Sequence, residues 1–220
     1  MAQPRSEQFV RGVEEFLNSA LPRPVSLAIV ETDGVLRAGP AEGDQGAGFA
    51  LIPLGDGAPA PLLKVEFSLS DDESGRFCRV NSSTFGLFVP LDRKPGHQVP
   101  VIRVEYQRAQ VPPAHVHFHT SSQPLGWVYG IVGGNYRRSE ELHFPVGSER
   151  FRPTIEDFLL FLDRERLFRD WRVGSNWRKA ARQRLAEYER TQAGSTVRHY
   201  PNEMADELRV LGWRVEPPAP

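Results

Sequence analysis

The chain is 220 residues long, 40% hydrophobic and 25% charged, with a formal net charge of −1. That balance fits one globular core with an appendage and gives no electrostatic reason for nucleic acid or an anionic membrane as partner. No run of about 18 apolar residues marks a membrane span. The N-terminal residues Met1–Glu7 lack the apolar core of a signal peptide. Cys78 is the only cysteine, which excludes an intrachain disulfide and a cysteine-rich zinc site, so a cytoplasmic protein is expected. Only Lys64, Lys94 and Lys179 among the 27 basic residues are lysine, a bias that GC-rich codon usage explains.

Ser6 reads as a helix N-cap with Glu7 in the first turn. Phe9, Val13, Phe16 and Leu17 then recur at helical spacing, and Leu21-Pro-Arg-Pro24 ends that helix. From Val25 the pattern changes to short β-type runs: Val25–Glu31, Phe49–Leu54, Leu62–Leu69, Arg76–Val80, Phe85–Leu91, Val99–Arg108 and Ala114–Thr120. Asp33-Gly34 signals a tight turn, and Ala38–Gly48 and Gly55–Pro61 read as loops. This spacing predicts an antiparallel meander. Gln123–Glu140 is irregular, punctuated by Gly126, Gly130 and Gly133, and Leu142–Phe144 reads as a last short strand.

Thr154 and Asp157 form the sequence pattern of a capping box. They open a helix to about Phe168 whose buried stripe is Ile155, Phe158, Leu159 and Leu162. Further helices are predicted over Asn176–Gln192 and Asn202–Leu211, the latter stopped by Gly212, with Trp213–Val215 as an edge strand. Helix, many strands, then helices is an α+β order rather than a βαβ alternation. The predicted division is an α+β domain over 1–168 and a helical extension, packed on it, over 169–220.

The loudest chemical signal is Ala114-His-Val-His-Phe-His-Thr120, entered through Pro112-Pro113. Residues two apart share a face of a strand, so His115, His117 and His119 form one imidazole row. The reading preferred from sequence is a solvated or partner-facing side of a strand whose Val116 and Phe118 pack inward. The alternative is a transition-metal site, zinc or another ion suited to imidazole, completed by His143 if its strand lies alongside. The spacing His117-x-His119-x3-Gln123-x6-Gly130 also resembles the first cupin motif. It departs from that motif in Gln123, where a Glu is expected, in Val111, where a Gly is expected, and in Arg150, where the later His would stand.

Other groups read as structural. Ser82-Ser83-Thr84 and Ser121-Ser122 lack a nucleophile-elbow context and read as turns. Gly130–Asn135 lacks the Lys-Ser/Thr of a phosphate loop. Asp71-Asp72-Glu73 reads as a hydrophilic turn. Arg169, Arg172, Arg178, Arg182 and Arg184, interleaved with Trp171 and Trp177, read as a solvated helix face diluted by Glu187 and Glu189 rather than as a nucleic-acid surface.

The element order, with Pro112-Pro113 entering the last predicted meander strand and Arg152-Pro153 opening an apolar helix, resembles the ubiquitin-conjugating enzyme (E2) and RWD superfamily over roughly residues 6–168. The resemblance implies an N-terminal helix, an antiparallel meander and a helical C-terminal part. It also implies a catalytic cysteine after the meander, close to an asparagine, but Thr120–Pro145 holds Asn135 and no cysteine, and Cys78 falls too early. Leu142–Asp157 is similar to a stretch of uncharacterised bacterial proteins. What the resemblance implies is therefore a non-catalytic binding or adaptor module without a cofactor. Its expected partner is a protein, with a second copy of the chain as one form, and neither membrane nor nucleic acid is expected. The competing expectation is a metal-dependent enzyme, cupin-like or hydrolytic, built on His115, His117 and His119.

Overall fold

The computed structural model describes residues 4–32, 35–41, 49–55, 59–71, 77–90, 98–108, 113–119, 122–133, 152–167 and 176–216. The chain has the α+β class expected of it: an N-terminal helix, a seven-stranded antiparallel sheet and C-terminal helices. Helix α1 is Arg5–Ala20. The strands are β1 Leu27–Thr32, β2 Val35–Pro40, β3 Ile52–Pro53, β4 Leu62–Asp71, β5 Cys78–Pro90, β6 Gln98–Gln107 and β7 Ala114–Phe118. Then come α2 Ser122–Val132, α3 Ile155–Arg164, α4 Trp177–His199 and α5 Pro201–Val210. The sheet runs β1-β2-β4-β5-β6-β7, with β3 also paired to β4, so the meander is realised.

Period-2 alternation sorts the sheet into two faces. In β4, Leu63, Val65, Phe67 and Leu69 are buried while Lys64, Glu66 and Ser68 between them are half-exposed. Cross-strand register carries the division sideways, because directly opposed residues share a face. The row Val65–Phe85–Val104–Val116 is apolar. The helices cover this side: Phe67 meets Phe9 of α1 edge-on at 5.2 Å, and Phe85 lies 6.3 Å from Phe158 of α3. The opposite face carries the rows Glu66–Thr84–Glu105–His115 and Lys64–Gly86–Arg103–His117. At Gly86 a Cβ would lie 2.7 Å from the Phe88 ring and 3.3 Å from Arg103 Cγ, so glycine gives the Phe88 ring its room here and lets Arg103 pack close.

The helices are held by their buried faces and by caps. Helix α1 buries Val10, Val13, Phe16, Leu17 and Ala20. Ser6 is not its N-cap: that position falls two residues earlier, at Pro4, and the Asp71 carboxylate at the end of β4 accepts the Ser6 backbone N–H at 2.9 Å. A carboxylate there also suits the positive end of the helix dipole. At α3 the capping box forms: Thr154 Oγ1 accepts from the Asp157 N–H at 3.3 Å, and Asp157 Oδ2 accepts from the Thr154 N–H at 2.9 Å. The helix stops at Arg164 rather than Phe168. Arg166 turns left-handed (φ 57°) and the Leu167 N–H returns to the Leu162 carbonyl at 2.7 Å, which closes the C-terminus. Helix α4 docks through buried Trp177 and Ala181, a two-pronged Arg178–Asp163 pair (2.7 and 2.6 Å) and an Arg184–Glu156 pair at 2.6 Å. Helix α5 packs on α4 and buries none of its residues.

Several expectations are corrected. The described parts of the two expected strands Arg76–Val80 and Phe85–Leu91 belong to one 13-residue strand, Cys78–Pro90, and Ser82-Ser83-Thr84 lies in its middle rather than in a turn. Val35–Pro40, partly assigned to a loop, is strand β2. Gln123–Glu140 contains the helix α2, which ends at Gly133 with φ 65°. Gln123 and Gly130 therefore sit on a helix and not on the second strand that a cupin motif requires. Helix α4 runs seven residues past Gln192. Trp213–Val215 is not a strand and pairs with none among the described residues. Asp33-Gly34 and Leu142–Phe144 lie outside the described residues.

Candidate functional site

Strand β7 places His115 and His117 on the polar face of the sheet, while Ala114, Val116 and Phe118 pack against the core on the other. This is the alternation expected from the sequence. What the sequence did not show is the residue opposite: β6–β7 register sets Glu105 directly across from His115 and Arg103 across from His117. Glu105 Oε2 lies 3.4 Å from His115 Nε2 and 3.2 Å from His117 Nε2, and the two imidazoles stand edge-to-face at 4.9 Å. Arg103 Nη1 sits 3.4 Å from the other carboxylate oxygen, Oε1. The guanidinium thus holds Glu105 by one oxygen and leaves the second facing both imidazoles.

One donor atom from each of Glu105, His115 and His117 falls within 4.8 Å of the other two. In a tetrahedral zinc site with bonds near 2.0–2.1 Å the ligand atoms are about 3.3 Å apart. The two His–Glu separations already have that value. Two imidazoles and a carboxylate form a donor set for zinc, iron, copper or nickel rather than for calcium or magnesium. Side-chain exposure is 24% at His115, 22% at Glu105 and 45% at His117, so one side of the cluster faces solvent. Without an ion, the same geometry lets an imidazole N–H donate to Glu105 Oε2.

His119 is not brought into the cluster. It lies one residue beyond the end of β7, its backbone N–H donates to the Val101 carbonyl at 3.1 Å, and its Nε2 is buried with no hydrogen-bond partner among the described residues. His143 lies outside the described residues, as do Asn135, Arg169, Trp171, Arg172 and Ser121. Of the arginine stretch, Arg178 and Arg184 do not lie on the solvated helix face expected of them: they pair α4 to α3 beside buried Trp177, while Arg182 is exposed. Asp71 caps α1, as described above.

Cys78 starts β5, opposite Asp71. Burial, with the Asp71 carboxylate adding to it and Arg152 opposing it, pushes the thiol up to about 12. The thiolate is the reactive species, so such a cysteine is a poor nucleophile at neutral pH. In the folded protein Cys78 is expected to resist alkylation by iodoacetamide at neutral pH and to react once the chain is unfolded, and Cys78→Ser is expected to leave binding functions intact. Rapid labelling of the native state, or loss of function in a stably folded Cys78→Ser variant, would assign chemistry to this thiol. Because the folded value lies above the ordinary 9, the unfolded chain ionises first, and stability associated with the protonated thiol falls as the pH rises from 9 towards 12.

No family model, curated protein or solved structure matches the chain. No helix among the described residues is long and apolar enough to cross a membrane.

Proposed function

We propose that this protein binds a divalent transition-metal ion, zinc by its donor set, through Glu105, His115 and His117. The observation that carries the reading is the convergence of three donor atoms from two adjacent strands within 4.8 Å. Arg103 supports it as the group that orients the carboxylate, the role usually taken by partners of metal ligands. A bound ion would be held by Glu105 of β6 and by His115 and His117 of β7, would tie the two strands together, and would act as a Lewis acid on the solvent-facing side of the cluster.

The test uses full-length protein without a histidine tag, stripped by a chelator and titrated with zinc by calorimetry. One equivalent is expected to bind and to raise the melting temperature, since a ligand of the native state stabilises it. Glu105→Gln and His117→Ala are each expected to weaken binding by at least about tenfold, whereas His119→Ala leaves it unchanged. Binding is also expected to weaken on acidification, because both imidazoles must be unprotonated to ligate. Absence of stoichiometric zinc, or equal binding by His117→Ala, would return the row to a solvated strand face.

A second reading, a non-catalytic protein-binding module of E2/RWD-like type, draws support from three features. The order of helix, meander and helices is the one the resemblance implies. The raised Cys78 thiol argues against thioester chemistry at that residue. Leu208, Val210, Leu211 and Trp213 on and after α5 are all exposed, a surplus of apolar surface for a helix that buries nothing.

A further inference from the structure

The far edge of the sheet carries a feature that the metal site does not use. Strand β1 is an edge strand paired only with β2 among the described residues. The Ala41 N–H donates to the Ser26 carbonyl at 2.9 Å, which fixes the phase of the antiparallel ladder. Hydrogen-bonded and non-hydrogen-bonded pairs alternate along such a ladder. Ala28–Gly39, Val30–Arg37 and Thr32–Val35 are then the bonded pairs, and the backbone groups of Leu27, Ile29 and Glu31 point away from β2. An independent contact agrees: the Leu27 N–H is taken from that side by Glu14 Oε2 of α1, at 2.6 Å. The amides and carbonyls of Ile29 and Glu31 have no partner among the described residues.

Between this open edge and α1 runs a groove of about 440 Å³. Val10, Leu27 and Ile29 supply its apolar surface, and Glu7, Glu14 and Glu15 outnumber Arg11 on its charged wall. Ile29 and Val30 are 38% and 48% exposed, and no lysine or proline blunts the strand between Leu27 and Thr32. Natural sheets guard a bare apolar edge of this kind or use it to receive a strand. We infer that β1 receives an extended basic polypeptide segment as an added strand. Its backbone pairs with Ile29 and Glu31, and lysine or arginine side chains at alternate positions lie against Glu7 and Glu15. A second copy of this chain is the less suitable occupant, because edge-to-edge pairing of β1 would bring like-charged Glu31 residues and acidic walls together.

The experiment is fluorescence anisotropy on the full chain. The probe is a capped, labelled peptide alternating lysine and valine over about eight residues, long enough to span one strand. Saturable binding is expected, weakened by salt. The double variant Glu7→Lys/Glu15→Lys is expected to lose at least about tenfold in affinity, while Glu203→Lys on the distant α5 is unchanged. A peptide N-methylated on alternate amides, which keeps its charge but cannot pair with the strand edge, is expected to lose binding to the same extent. This arm does not depend on any variant folding. Equal binding of the methylated and unmodified peptides, equal binding of an alternating glutamate–valine peptide, or no binding at all would overturn the proposal. So would concentration-dependent dimerisation abolished by Ile29→Pro, which would make a second copy the occupant.

Discussion

Phe158→Ala is expected to lower the unfolding free energy by about 3–5 kcal/mol, and Thr154→Ala by about 1 kcal/mol. The two residues sit four apart at the start of one helix, yet they act through different physics. Phe158 is fully buried, with Phe85 of the central strand 6.3 Å away on one side and Phe161 at 6.2 Å on the other. Truncating it leaves a cavity beneath the middle of the sheet, where the rigid strands β4 to β6 cannot collapse inward. Thr154→Ala removes the hydroxyl that accepts from the Asp157 N–H and donates to Asp157 Oδ2 at 3.1 Å. The other half of the capping box stays, because Asp157 Oδ2 still accepts the backbone N–H of residue 154. Urea denaturation of the two variants with an unchanged slope measures the difference directly. Equal small losses would mean that α3 does not form part of the core.

The same core separates the two proposed binding surfaces. The His–Glu cluster lies on β6 and β7 and the open groove lies at β1, with β2, β4 and β5 between them. No ligand is shared, so Glu105→Gln and Glu7→Lys/Glu15→Lys are expected to act additively, as changes at separated sites do.

What was legible in the sequence was what neighbouring residues decide. The capping box at Thr154 and Asp157, the stripe of α3, the stop at Gly212 and the inward packing of Val116 and Phe118 follow from short spacings, and all four are present. In the sequence strand β5 looks like two strands, because Ser82-Ser83-Thr84 has the composition of a turn. Pairing with both β4 and β6 holds it extended, and Ser83, opposite Phe67 and Tyr106, is buried. Strand β2 was partly hidden by Gly39-Pro40. There a Cβ on residue 39 would lie 2.5 Å from the Phe49 ring, so glycine serves close packing rather than a loop. Glu105 was invisible as a site residue for a similar reason. In its own strand it is an ordinary outward polar residue, and only the β6–β7 register brings it opposite His115. Register depends on the connection between the strands and on the sheet around them, neither of which a local pattern encodes.

Arg184→Met is expected to cost about 2–4 kcal/mol, and the double variant Glu156→Met/Arg184→Met to recover most of that loss. Arg184 reaches from α4 to both α3 and α1: Nε donates to Glu156 Oε1 at 2.6 Å, and the guanidinium carbon lies 5.6 Å from the centre of the Phe16 ring of α1. Gly12 makes the room, since a Cβ there would stand 3.2 Å from Arg184 Nη1. The Glu156 side chain is only 7% exposed, so removing the cation leaves a carboxylate that neither water nor another charge can serve fully. Arg184 itself is 32% exposed, and the water that reaches it keeps the cost below that of a fully enclosed pair. Methionine keeps the aliphatic packing on Phe16, so the single variant isolates the stranded charge from the lost contact area. In the double variant both charges are gone and two apolar side chains fill the site. Thermal or urea unfolding of the wild type, of Arg184→Met, of Glu156→Met and of the double variant closes the cycle. A double variant as unstable as Arg184→Met would show that packing, not the buried charge, couples α4 to α1 and α3.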